Sequence, residues 1–337
     1  MHIGGLDLST RRFLIAEIGN NHEGNSSLAL EMVDAAAEAG ADAVKVQVIT
    51  AERLVNISQT QRIAQLNGFR LSPETFRSMA DRAKSKGVQF MASAFDVDSL
   101  DGIFDLVTAV KVASSDIDFV QLLARAAAKG KPLVVSTGTA TMDEVSTAVR
   151  TIETNLPRGR SLADSLLLMH CITSYPTPMD QANLRAIGTL ANRFPVTVGY
   201  SDHTLGIETA VAAAALGARA IEKHFTLDKS RKTFRDHALS ADPQDLRRLA
   251  DALHAMDQML GTGEKKPMPC EKDNVVAARR SIVTARALEA GVVLRAEDLE
   301  YVRPAGGFKP PQADRILGRR TRIALARHQV LQEAHLE

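Results

Sequence analysis

The chain has 337 residues, 45% of them hydrophobic, which is enough for one large domain with a buried core and a small companion. Its 41 basic and 40 acidic side chains nearly cancel, so charge gives no reason to expect a nucleic acid or an anionic membrane as partner. The absence of tryptophan, with only 4% aromatic residues, argues against a base-stacking platform, and a small-molecule ligand fits best.

The opening MHIGGLDLSTRRF lacks the basic-then-apolar order of a secretion signal. The alanine-rich run from Thr209 to Ile221 is too short and too interrupted to span a bilayer. A cytoplasmic protein is therefore expected. Cys171, in an apolar strand-like run, and Cys270, in a Pro-rich stretch, suit a reducing compartment without a disulfide, and Cys171 reads as an inert core thiol.

From Phe13 onward, short apolar or β-branched runs alternate with longer amphipathic segments. The runs are Phe13 to Ile18, Ala43 to Val48, Val88 to Ala92, Ala109 to Ala113, Leu133 to Ser136, Leu166 to Cys171, Val196 to Tyr200 and Ala218 to His224. Segments such as SSLALEMVDAAAEAG and TMDEVSTAVRTIETN open on capping or acidic residues, and Gly40 and Gly87 sit where helices should end. Eight such units in about 260 residues predict an α/β fold of the closed (β/α)8 TIM-barrel type rather than an open doubly wound sheet. The turn after the first run reads EIGNNHEGNSS, which lacks the G-x-G-x-x-G of a dinucleotide fold.

The alternation ends after Leu260, and GTGEKKPMPCEKDN reads as an exposed linker. The predicted organisation is a barrel over residues 1–262, a linker over 263–278 and a small β-rich module over 279–337, with strand-like pieces RSIVTA, TRIALA and HQVL. So small a module is expected to lean on the barrel or on a second subunit.

Barrel active sites lie at the C-terminal strand ends, so the polar residues ending each run are the candidates. In order these are Glu17; Lys45 and Gln47; Ser93; Lys111 and Ser114; Ser136 and Thr137; His170 and Tyr175; Ser201, Asp202 and His203; and Glu222 and His224. Alternation puts Lys45 with Gln47, and Glu222 with His224, on faces expected to point into the barrel mouth. Lys45 and Lys111 with the hydroxyls of Ser93, Ser114, Ser136 and Ser201 compose an anion pocket suited to phosphate and carboxylate groups. Taken singly, each of these residues is equally at home as a snorkelling lysine or a helix-capping serine. His203 and His224, on adjacent strand ends, have the chemistry to give two imidazoles to one divalent cation. Glu17 is placed to orient or deprotonate hydroxyls, or simply to pair with Lys45. Asn21 and His22, on the first loop, either contact ligand or shape the loop.

The motifs FLIAEIGNNHEG, AGADAVKVQ, VKVASSD, GKPLVVSTG, HCITSYPTP, VGYSDHTLG and IEKHFTLD resemble, in order and spacing, the N-acetylneuraminate (sialic acid) synthase family. The tail ARRSIVTARALEAGVVLRAEDLEYVRPAGG resembles the antifreeze-like SAF domain of those synthases. The resemblance implies condensation of phosphoenolpyruvate with an open-chain N-acylated hexosamine, with release of phosphate. It implies a divalent ion on His203 and His224, manganese foremost with magnesium or cobalt as substitutes. Lys45, Lys111, Ser93, Ser114, Ser136 and Ser201 would cradle phosphoenolpyruvate. Glu17, Gln47, Tyr175 and Asp236 would meet the sugar, with Glu17 or a metal-held water managing protons. It further implies a domain-swapped homodimer, in which Arg303 of the tail contacts the N-acyl group bound by the other subunit.

Several positions depart from the family pattern around the sugar. ASAFD stands for STPFD and places Ser93 at a Thr position, SSD stands for SGE and places Asp116 at a catalytic Glu position, Thr173 and Ser174 stand where Asn is frequent, and PAGG replaces PGNG beside Arg303. The acceptor is accordingly N-acetylmannosamine or a diacetamido-trideoxyhexose. Two rival readings are a related phosphoenolpyruvate aldolase making a phosphorylated 3-deoxy sugar acid, and a non-catalytic binding protein that works through its tail module.

Overall fold

The computed structural model describes all residues, 1–337, and divides into two compact units, 1–261 and 262–337. In the first unit, eight parallel strands close into a barrel: β1 Phe13–Gly19, β2 Ala43–Val48, β3 Gln89–Ala94, β4 Ala109–Val112, β5 Leu133–Ser136, β6 Leu166–Cys171, β7 Thr197–Asp202 and β8 Ala220–His224. Strand order follows the chain, and β8 closes on β1. The helices packed outside are α1 Ser26–Glu38, α2 Pro73–Ser85, α3 Val97–Ile103, α4 Val120–Ala128, α5 Met142–Asn155, α6 Ala186–Arg193, α7 Glu208–Ala215 and α8 Pro243–Met259. No helix is long and apolar enough to cross a membrane.

The local signals explain the helix ends. Asn25 accepts hydrogen bonds from the first-turn amides of α1, Ser72 and Asp242 cap α2 and α8 ahead of a proline, and Thr141 with Glu144 forms a reciprocal capping box on α5. Gly40 and Gly87 follow α1 and α2 with φ of +93° and +76°, the left-handed conformation that ends a helix and that only glycine adopts without strain.

Strand alternation then sorts the side chains. On β1, Leu14, Ala16 and Ile18 pack against the helices, whereas Phe13 and Ile15 face inward with Ala43, Met91, Ala109, Val134, Leu167, Met169 and Ala220. An N-terminal hairpin, His2–Ile3 paired with Leu6–Asp7, adds buried Ile3 and Leu8 to that inner cluster. The sequence pattern gave no sign of this hairpin, because two-residue strands carry no periodicity. Nor did it predict the helical insertion after β2, formed by Ala51–Leu54 and Thr60–Gly68.

The second unit has its own core of Ile282, Leu288, Leu294, Leu299, Phe308, Ile316, Leu325, Leu331 and Leu336. Its one sheet pairs β9 Ser281–Thr284 with β10 Leu299–Val302 in antiparallel register. RSIVTA thus supplies a strand, while TRIALA and HQVL make only isolated bridges, and the partner strand lies in the acidic stretch DLEYV. The stretch read as an exposed linker is exposed, and it contains a turn at Pro269–Glu271 and a helix at Lys272–Ala278.

Candidate active site

One pleat repeat above the apolar layer, every barrel strand but β6, which carries Cys171 there, turns polar. Register puts Glu17 beside Lys45, Gln47 beside Ser93, Ser93 beside Lys111, Ser201 beside Glu222, and His224 beside Glu17. The result is a buried charged cluster. Lys45 Nζ lies 2.8 Å from Glu17 Oε2 and 3.7 Å from Glu222 Oε1, and Lys111 Nζ lies 3.4 Å from the same Glu222 oxygen. Lys45 also donates to Ser93 Oγ at 3.1 Å, and Ser201 Oγ donates to Glu222 Oε1 at 3.0 Å. Two lysines and two carboxylates at this depth are tolerated because each ion has a partner, and removing one leaves a buried charge uncompensated.

The electrostatics of the four differ. Burial raises the Glu17 pKa, with the Glu222 charge adding to it and Lys45 opposing. Burial lowers that of Lys111, against the pull of Glu222. Glu222, facing both lysines, is held below the usual carboxylate range despite its burial. For Lys45 the desolvation cost is outweighed by Glu17 and Glu222, and the net shift is upward.

A bulge on β1 between Glu17 and Gly19 alters the register where the strand meets its loop. There Asn20 Nδ2 donates to Gln47 Oε1 at 2.7 Å, and Gln47 Nε2 donates to Glu17 Oε1 at 3.2 Å. Asn21 is turned away from the cluster, donating to the Phe225 carbonyl and to Ser240 Oγ. Across the mouth, the Gly138 amide donates to Ser114 Oγ at 3.0 Å. A Cβ at Gly138 would lie 2.3 Å from Thr173 Oγ1 and 2.8 Å from Ser114 Oγ, so glycine is required for this loop to close on both. Ser136 Oγ, on the same wall, is buried without a hydrogen-bond partner.

His203 and His224 lie with ring centroids 5.3 Å apart. His203 Nδ1 donates to the Ile172 carbonyl at 2.7 Å, which in the neutral ring leaves Nε2 as a lone-pair donor. Against burial, which lowers it, Cys171 and the Ile172 carbonyl raise the His203 pKa. His224 is held well below its ordinary range, first by burial and then by His203 and Lys45. Its Nδ1 has no hydrogen-bond partner, and the nearest carboxylate, Asp236 Oδ2, is 3.9 Å away. No three His, Cys, Asp or Glu side chains form a ready-made cage. Two imidazoles, one with an unpartnered nitrogen, fit a divalent ion that takes its other ligands from water and substrate.

Tyr175 packs against this pair, tilted with its ring centre 4.2 Å from that of His203 and edge-on at 5.9 Å from that of His224. Burial raises its pKa and keeps the phenol protonated. Asp236 sits in a turn at Arg235–Leu239 after β8, and burial raises its pKa as well. Asp116 is less integrated: it lies in the turn after β4, accepts from Ser115 at 3.2 Å, and is raised to about 6, mainly by burial. Arg303 belongs to the second unit, exposed just after β10.

Three positions differ from the sequence reading. His170 faces outward, stacked on Tyr200 with Nε2 against the Ala182 carbonyl. Asp202 also faces outward, in a fully buried pair with Lys223 at 2.8 Å. Cys171, read as an inert thiol, shares the inward face of Met169 and lies 3.7 Å from His203 Nδ1. Burial alone would raise its pKa, but His203 and Lys111 bring it down. Glu222 is the residue whose importance the sequence reading understated: its i, i+2 spacing from His224 was the available signal.

A closed parallel barrel with paired ions, hydroxyls and imidazoles at its C-terminal strand ends is the framework of a TIM-barrel enzyme. A model of the NeuB family matches residues 32–265, and a model of the SAF domain matches residues 279–337. The chain is 39% identical to an N,N'-diacetyllegionaminic acid synthase of Legionella pneumophila, over 96% of this chain and 94% of that protein. It is 31% identical to a pseudaminic acid synthase of Campylobacter jejuni, over 95% of each. The crystal structure of an N-acetylneuraminic acid (sialic acid) synthetase from Leptospira borgpetersenii superimposes with a TM-score of 0.76 at 33% identity, covering 82% of this chain and 94% of that one. The chain belongs to the NeuB family and ends in a SAF domain.

Proposed function

We propose that the chain is a nonulosonate synthase, which condenses phosphoenolpyruvate with the open-chain aldehyde of an N-acylated hexosamine and releases phosphate. The observation that carries this reading is the buried cluster of Glu17, Lys45, Glu222 and Lys111 beside the His203–His224 pair. The names of the relatives support it, since they are synthases of three acids of this type. Greater identity to the N,N'-diacetyllegionaminic acid synthase, 39%, than to the N-acetylneuraminic acid synthetase, 33%, favours a diacetamido-trideoxyhexose over N-acetylmannosamine.

In the proposed reaction, carbon 3 of phosphoenolpyruvate bonds to the aldehyde carbon, whose oxygen takes up a proton. Water adds at carbon 2, and cleavage of the carbon 2–oxygen bond expels phosphate. Lys45 and Lys111, with Ser93, Ser114, Ser136 and Ser201, neutralise and orient the carboxylate and phosphate. Ser136 Oγ and the Gly138 loop are suited to this, being unpartnered and closely approached respectively. Glu17, with its raised pKa, moves the proton, and Asp116 is a second candidate for that work. Gln47, Thr173, Tyr175 and Asp236 position the sugar. His203 and His224 would hold the divalent ion, manganese foremost with magnesium or cobalt as substitutes, which when bound polarises the aldehyde oxygen as a Lewis acid. Arg303, from the SAF domain of a second copy, would meet the N-acyl group.

The test is release of inorganic phosphate from phosphoenolpyruvate with manganese and a panel of unphosphorylated N-acylhexosamines. Metal-stimulated release is expected with at least one acceptor, and Arg303→Ala should raise the KM of that acceptor but not of phosphoenolpyruvate. Absence of release with every acceptor sinks the reading.

A further inference from the structure

The loop from Lys229 to Arg235 carries four cations, and three of them are accounted for. Lys229 pairs with Asp242 and Asp245, Arg231 pairs with Glu23, and Lys232 is exposed. Arg235 alone reaches the candidate active site. Its guanidinium carbon lies 5.0 Å from the centre of the Tyr175 ring, the ring that packs against His203. Its Nε donates to Asp236 Oδ1 at 3.2 Å, and the side chain is 66% exposed.

Asp236 is buried but the guanidinium is largely solvated, and an ion pair with one solvated partner adds little stability, so holding the fold together is a weak reason for this arginine. The arrangement instead resembles a prepared donor. Stacking on Tyr175 and the bond to Asp236 restrict the guanidinium, while both Nη groups lack a protein acceptor. Tyr175 touches both Arg235 and the histidine pair, with the guanidinium 5.0 Å and the His203 ring 4.2 Å from its centre. An acceptor with its aldehyde at His203 and His224, extending past Tyr175, presents its far end to Arg235.

We infer that Arg235 is a specificity-determining residue, donating to an oxygen-bearing substituent of the acceptor remote from the aldehyde. Resting as it does on the synthase reading, the inference assigns a group that reading leaves open. Two sources carry the required oxygens, an acylamido carbonyl and a phosphate, and a planar fork of free N–H groups suits either.

The experiment compares wild type with Arg235→Ala in the phosphate-release assay on three acceptors: N-acetylmannosamine, its 6-phosphate, and a 2,4-diacetamido-2,4,6-trideoxyhexose. For the acceptor bearing the recognised group, the substitution should raise KM by about 10- to 100-fold, the loss expected for one charge-assisted hydrogen bond. The KM of phosphoenolpyruvate and the melting temperature should not move. An effect confined to the diacetamido sugar identifies the acylamido carbonyl, and one confined to the 6-phosphate identifies the phosphate. Equal KM changes on all three acceptors, a matching change for phosphoenolpyruvate, or no change at all overturns the inference. If wild type itself releases no phosphate, the synthase reading fails first; if wild type is active and Arg235→Ala matches it, this inference alone fails.

Discussion

The two ends of the barrel lumen are built on the same strands, two residues apart, and have opposite chemistry. Ile15 gives way to Glu17, Ala43 to Lys45, Met91 to Ser93, Ala109 to Lys111, Val134 to Ser136 and Ala220 to Glu222. The lower layer is apolar and closed beneath by Ile3 and Leu8. The upper layer is as deeply buried, yet its Lys45, Lys111, Glu17 and Glu222 are all ionisable. The lower layer gains by leaving water, while the upper one carries a desolvation cost that only mutual pairing and ligand offset. One strand therefore contributes to stability at one pleat and to chemistry at the next.

That contrast is broken most directly by one substitution in each layer. Lys111→Met should reduce phosphate release by about 100- to 1000-fold, as expected for loss of a preorganised charge. It leaves Glu17 and Glu222 to share Lys45, so a loss of stability accompanies the loss of turnover, and turnover is compared per folded molecule. Ile15→Ala should cost about 2–5 kcal/mol in denaturant unfolding through the cavity it opens, while the folded fraction keeps its turnover within about twofold. Reversed outcomes, with Lys111→Met active and Ile15→Ala inactive though folded, would show that the layers do not divide the work.

The next comparison sets the inner face of a strand against its outer face. His224 and His170 are both buried strand-end histidines, but the first looks into the mouth and the second toward the helices. His224→Ala should weaken manganese binding, followed by calorimetry, by at least about 100-fold and abolish metal stimulation. His170→Gln should change neither. Equal losses in both variants would mean that metal affinity reflects general integrity of the barrel.

Much of this was legible in the sequence because strand alternation has a period of two. Glu17, Lys45, Ser93, Lys111, Ser136, Ser201 and His224 fall on one parity, and the structure turns that parity inward. Cys171 falls on it too, and its phase, not its apolar neighbours, decides that it faces the mouth. Asn20 was not legible, since a bulge redirects the chain after Glu17 and no pattern encodes one. The helix Thr60–Gly68 and strand Leu299–Val302 were missed because few of their side chains are buried, so their patterns are weak. Arg235 gave no signal at all: one more cation in a basic loop becomes distinctive only when Tyr175 arrives beneath it from β6.

The smallest expected effect sharpens the same contrast at its margin, where a buried acid lacks the partner that the upper layer supplies. Glu222 has two lysines and its pKa falls, whereas Asp116 has only Ser115 and burial lifts it from 3.8 to about 6. An acid whose folded pKa exceeds its unfolded value binds its proton more tightly when folded. Its stabilising contribution is complete below about pH 4 and is lost as the pH rises to about 6. Asp116→Asn removes that titration. Its melting temperature should exceed that of wild type at pH 8, and the gap should close as the pH is lowered toward 4. If Asp116 is also a proton carrier in turnover, the same variant loses activity and the limb of the kcat profile near pH 6. A stability gap without that kinetic change would assign Asp116 to the fold and leave the proton to Glu17.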